Sequence, residues 1–246
     1  MCDYPHPPSL VVDPGQVKDF FNRILHGGGT HVLQLQARPK YGAPRDRIFQ
    51  RVRSTCDEED FFLHKVFQGA MVPPGMNPDH LVLYSTTNPI DVRATNLKVQ
   101  AEIVKLLVAE KSSDLPADRI WFHSAPSHPL TSDMRTFDVD VKEAIGEVMA
   151  IMDTYKVPIR EAVETRGGYH LFTRASDLKG TIGKDFITAL RTFTFQSLSC
   201  DGKEIVHQVC SLPRNTLCAI PGTLQGGFPV HLLTYDELDA LKALKK

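Results

Sequence analysis

The run Thr136-Phe137-Asp138-Val139-Asp140-Val141 limits what this chain can fold into more than any other stretch. Apolar and acidic residues alternate strictly, a pattern that fits the two-residue period of a β-strand and no helical period. Phe137, Val139 and Val141 are therefore expected to fill a buried face, with Asp138 and Asp140 together on the opposite one. Such a strand belongs in a sheet that is covered on one side and open to water or to a ligand on the other.

The rest of the chain supplies the cover. Helical spacing of apolar residues runs over 97–109, 142–155, 184–195 and 235–244, the last opened by the capping box Thr234…Glu237. Asp13-Pro14 opens another helix through Val17, Phe20, Phe21, Ile24 and Leu25, stopped at Gly27-Gly28-Gly29, and 61–67 reads as a short amphipathic piece. Strand patterns fall at 30–37, 81–84, 120–122, 160–163, 169–172, 205–209 and 217–220. Helices and strands are interspersed, with several strand pairs adjacent in sequence. This predicts a mixed α/β (α+β) fold with a largely antiparallel sheet flanked by helices. No repeat or low-complexity linker divides the chain, so 1–246 is expected to form one domain, with an N-terminal α/β half over 1–79 and a motif-bearing half over 80–246.

Composition narrows the function classes. No apolar run approaches the roughly 20 residues that span a bilayer, so no membrane partner is expected. The start, Met-Cys-Asp-Tyr-Pro-His-Pro-Pro, has neither the basic flank nor the apolar stretch of a secretory signal, which predicts an intracellular protein. The 5 cysteines form no CxxC pair, and Cys200, Cys210, Cys218 and His207 are too irregularly spaced for a zinc module, so free thiols are expected. Lys and Arg number 28 against 29 Asp and Glu, which excludes a broad basic coat for nucleic acid. Any such contact must be local. Arg38, Lys40, Arg45, Arg47, Arg51 and Arg53 stand against Asp46 alone, and form either a nucleic-acid contact or a solvated helix face answered by Asp57, Glu58, Glu59 and Asp60.

Two further stretches carry chemistry-bearing residues. Asp138 and Asp140 side by side repel unless a cation sits between them, and a hard ion such as Mg²⁺ or Mn²⁺ suits oxygen ligands; two solvated acids beside Lys142 would give the same alternation. In Glu164-Thr165-Arg166-Gly167-Gly168-Tyr169-His170, paired glycines let a turn close under a ligand with amides free for phosphate, and Arg166 adds a bidentate donor. An ordinary hairpin turn with a packed histidine is the alternative. Pro221-Gly222-Thr223-Leu224-Gln225-Gly226 taken by itself is a loop.

In this order the three stretches resemble the catalytic core of the archaeo-eukaryotic primase (primase-polymerase) superfamily. Its acid-x-acid strand is matched by Asp138-Val139-Asp140, its small-x-His strand by Gly168-Tyr169-His170, and the late Pro-Gly segment of its small-subunit branch by Pro221-Gly222-Thr223-Leu224-Gln225-Gly226. Leu83-Tyr84-Ser85-Thr86-Thr87-Asn88-Pro89 is similar to a strand-plus-Asn-Pro segment of some primase-polymerases. The resemblance covers roughly residues 80 to 232.

It implies a metal-dependent nucleotidyltransferase of DNA replication or RNA processing, adding nucleotides to a nucleic-acid strand. Asp138 and Asp140 would hold Mg²⁺ or Mn²⁺ and carry catalysis, Arg166, Gly167, Gly168 and His170 would bind a nucleoside triphosphate, and Arg45, Arg47, Arg51 and Arg214 would touch DNA or RNA. The chain departs from the family at its third acid, whose place falls near His207, with Asp201 and Glu204 close by. The basic residues before the Pro-Gly segment are also replaced, with Arg214 the nearest survivor. The alternative implied is a catalytically weakened, nucleic-acid-binding or structural subunit of a larger assembly.

Overall fold

A computed structural model describes residues 8–25, 29–55, 58–108, 117–127, 129–130, 133–198, 204–208, 210–211 and 217–244. The first helix, α1 (Pro14–Phe20), forms where the Asp13 carboxylate accepts from the amides of Gly15 and Gln16 and proline occupies the first turn. It continues as a π-helical turn over Phe21–Leu25, and its buried stripe is Val17, Phe20, Phe21, Ile24 and Leu25. There follow β1 (Thr30–Ala37), β2 (Arg47–Thr55), α2 (Glu59–Gly69), β3 (Leu81–Thr86), α3 (Val92–Val108) and α4 (Ala117–Ser124). Next come β4 (Met134–Val139), α5 (Ile145–Thr154), β5 (Glu161–Glu164), β6 (Tyr169–Arg174) and α6 (Gly180–Thr192). The chain continues through β7 (Thr194–Leu198), β8 (Glu204–Gln208), β9 (Cys210–Ser211), β10 (Leu217–Ala219), β11 (Leu224–Gln225), β12 (Phe228–Pro229), β13 (His231–Leu232) and α7 (Tyr235–Lys242).

The strands make two larger antiparallel sheets and a hairpin. The first sheet runs β12-β11-β3-β1-β2, with β10 also on β3; the second runs β13-β5-β6-β4-β9; β7 and β8 pair with each other. Alternation along each strand then sorts the residues. Phe137 and Val139 of β4, with Leu171 and Ala162, pack under α5, α6 and α7 against Val148, Met152, Phe186 and Leu238. Phe137 meets Phe186 edge-to-face at 5.4 Å. The other side of the second sheet faces the first: Val163 and Phe172 share one core with Leu33, Leu35, Leu81 and Leu83, closed by Phe20, Phe62 and Val66. A third cluster, around Val32, Val99 and Trp121, sits under α3 and α4.

The mixed, antiparallel, helix-flanked architecture is as expected, with local differences. Residues 120–122 lie in helix α4, not a strand. Their aromatic composition favours a strand locally, but the Trp121 indole donates to Asn96 Oδ1 at 2.9 Å and carries the Arg53 guanidinium 3.8 Å above its ring, a docking that prevails over propensity. Residues 47–55, read as a charged patch or helix face, form β2 at the edge of the first sheet. The described acids downstream do not answer its cations: Glu59 pairs with Lys18 at 2.7 Å. Position 79 falls between strands of one sheet, because β3, β10, β11 and β12 join β1 and β2.

Candidate functional site

Position in the site begins with Asn88. It is buried, its side-chain amide donates to the Met134 carbonyl at 3.1 Å, and its carbonyl accepts from the Met134 amide at 3.2 Å. This two-way bond fixes the start of β4 to the loop after β3. From there β4 runs in register with β6, placing Asp138 directly opposite His170. At its far end the turn before β6 approaches very closely: a Cβ on Gly168 would lie 1.7 Å from the Val139 carbonyl oxygen, so only glycine fits. Close approach, not unusual dihedral geometry, is what demands glycine here.

Asp138, Asp140, His170, Thr165 and Gly167 line one face of a cavity of about 320 Å³; Gln36, Arg38, Lys40, Tyr84 and Gln225 line the facing wall from the first sheet and its loops. The two aspartates thus share one side of the strand end, as the alternation predicts. His170 is held at both ring nitrogens: Nε2 lies 3.2 Å from Asp138 Oδ1 and Nδ1 lies 3.0 Å from the sulfur of Cys218. Cys218 is fully buried on β10, which pairs with β3 at Ser85.

Electrostatics separates the two acids. Burial pushes Asp138 up, but the hydrogen bond and charge of His170, with Lys40 behind, outweigh it and hold its carboxyl below the usual range. Asp140 is pushed up by burial and by the neighbouring Asp138 charge. Burial disfavours the His170 imidazolium, yet Cys218 and Asp138 outweigh it and raise the ring well above its ordinary value. On the opposite wall, burial raises Tyr84, whose hydroxyl accepts from Arg38 at 3.3 Å. Lys40 acts on both aspartates. The cavity is therefore an acidic floor facing a cationic lip.

Several expected residues take other parts. The Arg166 guanidinium donates to the Gly226 carbonyl and lies 5.4 Å over the Tyr41 ring, so it ties the turn to the loop after β11 instead of reaching into the cavity. Nor are the turn amides all free for phosphate. Arg166 N–H donates to Gln225 Oε1 at 2.8 Å and Gly168 N–H to the Thr165 hydroxyl at 3.2 Å, while the Gly167 amide meets no acceptor among the described residues. The Pro221-Gly222 segment packs on the N-terminal arm, with the Gly222 carbonyl accepting from Val12 and Asp13; of that motif only Gln225 reaches the cavity.

His207 has only its backbone described, paired with Phe195 in the separate β7–β8 hairpin. On the side of β4 away from β6 lies β9, which sets Ser211 opposite Asp138 in the strand register, so the His207 position does not adjoin the two aspartates through the sheet. Arg214 and Asp201 lie outside the described residues. Arg45, Arg47 and Arg51 line a different groove, not this cavity. Arg38 and Lys40, which sequence grouped with them, are the cations that the fold delivers. Cys218, Tyr84 and Gln36 were not singled out as site residues by sequence, since their place depends on pairing between distant strands. Among the described residues, no helix is long and apolar enough to cross a membrane. Comparisons with known protein families, with curated proteins and with solved structures return no match.

Proposed function

We propose that this chain is a metal-dependent nucleotidyltransferase of the primase-polymerase kind, adding nucleotides to a nucleic-acid strand. The observation that carries this is the convergence of Asp138, Asp140 and His170 on one cavity whose opposite lip is Arg38 and Lys40. Phosphoryl transfer asks for positioning and charge neutralisation more than for covalent chemistry, and a cavity with acids on one side and cations on the other divides those tasks. Arg38 and Lys40 attract the polyphosphate of a nucleoside triphosphate. With Nδ1 held by Cys218, His170 directs Nε2 at the place that Asp138 Oδ1 takes here, where its N–H can donate to a phosphate oxygen. Gly167 offers its amide to the same anion. Gln36 and Gln225 fix the walls, and the nucleic-acid strand enters over the cationic lip.

The acids fit a hard cation. Burial raises Asp140 first and the neighbouring Asp138 charge adds to it; a divalent ion would relieve that repulsion. Among the described residues no group of three His, Cys, Asp or Glu side chains is placed to hold an ion, so Asp138 and Asp140 would be the described residues that hold it, with places left for water and substrate phosphate, as is usual for Mg²⁺. When bound at Asp138 and Asp140, Mg²⁺ or Mn²⁺ would neutralise charge on the reacting phosphate and lower the pKa of the attacking hydroxyl.

The second reading, a nucleic-acid-binding or structural subunit with weakened catalysis, is favoured by the third acid's expected place falling on a histidine, His207, which lies in the separate β7–β8 hairpin. Primer extension with purified chain, Mn²⁺ and labelled nucleotides separates the two. Extension that disappears in Asp138→Ala/Asp140→Ala supports the enzyme; strand binding without extension under Mg²⁺ or Mn²⁺ supports the subunit and removes the enzyme.

A further inference from the structure

A second cavity, larger than the one around Asp138, lies elsewhere among the described residues. A groove of about 1200 Å³ runs between β2 and the α3–α4 pair, and every residue from 45 to 51 lines it. Side chains of a strand alternate between faces, so consecutive residues meet one space only along the strand's edge. β2 is that edge: the first sheet ends at it, and among the described residues β1 is its one strand partner. The groove therefore faces the outward main-chain donors and acceptors of a nine-residue strand. Opposite stand Leu106 of α3 and Ile120 and Phe122 of α4, with Ile48 and Phe49 on the near side.

We infer that this groove receives an extended peptide of alternating acidic and apolar residues, added as a further strand to β2. Main-chain pairing provides the affinity in such additions, and pockets for alternate side chains provide the choice. Charge sets the sign of the partner. The acids around the groove are already answered: Glu102 by Lys98 at 2.8 Å and Lys105 at 3.0 Å, Asp118 by Arg53 at 3.7 Å, Asp46 by Arg38 at 3.0 Å. Arg45 and Arg47 are exposed and form no ion pair among the described residues; the Arg47 guanidinium lies 4.7 Å over the Phe49 ring. A strand lying between them and Leu106 or Phe122 would set carboxylates toward the arginines and apolar side chains toward the helices. Charges on an edge also serve as guards against chance pairing. A guard needs no groove, and here a groove lies between the edge and the helical wall, lined by both. Nucleic-acid phosphates can accept from the arginines and edge amides but leave the edge carbonyls unpaired, whereas an added peptide strand pairs both, so the peptide is favoured.

Fluorescence polarisation on the full chain tests this with a labelled Asp-Val-Asp-Val-Asp-Val-Asp peptide, the same peptide N-methylated at alternate backbone nitrogens, and a short oligothymidylate. The acidic peptide is expected to bind, Arg45→Glu/Arg47→Glu to weaken it at least about tenfold with an unchanged melting temperature, and N-methylation to abolish it. Absence of peptide binding would overturn the inference. Equal binding of the methylated peptide would reduce the groove to a charged surface. Displacement of the peptide by oligothymidylate, with both lost in the arginine variant, would make the groove a nucleic-acid path instead. None of these outcomes bears on whether Asp138 and Asp140 hold a metal, so this inference and the proposed function fail separately.

Discussion

Asn88 is the residue on which the placement of Asp138 most depends without touching it. Replacing it with alanine removes both bonds to Met134 and leaves the Met134 amide and carbonyl unpaired in a position only 5% exposed. Leaving a buried polar backbone group without a partner costs about 1–3 kcal/mol. Two such groups set a range of about 2–6 kcal/mol, and because Met134 opens its strand, where one group can reach water, the lower part, about 2–4 kcal/mol, is expected. For a chain of this size that lowers the melting temperature by about 4–16 °C. Urea unfolding followed by tryptophan fluorescence measures the loss. Asn88→Asp keeps an acceptor for the Met134 amide but sets a carboxylate against the Met134 carbonyl, so it should be no better than alanine. A loss below about 0.5 kcal/mol in Asn88→Ala, the scatter of ordinary surface changes, would refute the idea that this side chain anchors β4.

Three other outcomes follow from the same geometry. Gly168→Ala must move the Val139–Asp140 backbone, because its Cβ would lie 1.7 Å from a carbonyl oxygen; we expect weakened nucleotide binding together with a lower melting temperature, and unchanged values for both would contradict the close approach. Cys218→Ala removes the partner of His170 Nδ1, so the imidazolium should give up its proton at lower pH in an NMR titration, with Cys218→Ser restoring only the hydrogen-bonded part of the shift. At the C-terminal helix, the Thr234 backbone amide, with His231 and the Thr234 hydroxyl, lowers Glu237 from 4.5 to about 2. A lowered carboxyl stabilises the fold above its unfolded pKa, and that contribution fades as pH falls from 4.5 toward 2; Glu237→Gln should flatten this part of the stability–pH curve, and Thr234→Ala should cost about 1 kcal/mol.

What could be read in the sequence was local. The alternation of Phe137, Asp138, Val139 and Asp140 reports its own strand and its own two faces, and the structure keeps both aspartates on one cavity. The cap at Asp13 and the box at Thr234 and Glu237 mark helix starts because their bonds lie within a few residues. What stayed hidden was tertiary. β2 is masked by its arginines, whose charges read as surface although Arg51 donates to Gln34 across the strand pair at 2.8 Å. The facing wall of the cavity depends on Gln225 pairing beside Val82, a contact between residues far apart in the chain that no periodicity announces. Arg166 was read as a phosphate ligand because an arginine beside two glycines has that chemistry; the Gly226 carbonyl and the Tyr41 ring claim it first.

Titration calorimetry of the folded chain with Mn²⁺ and a non-hydrolysable nucleoside triphosphate tests the central claim most directly. Nucleotide uptake is expected to require Mn²⁺, to be lost in Asp138→Asn/Asp140→Asn and to be weakened in Lys40→Ala. Uptake of neither ion nor nucleotide, or equal uptake by the double aspartate variant, would contradict it.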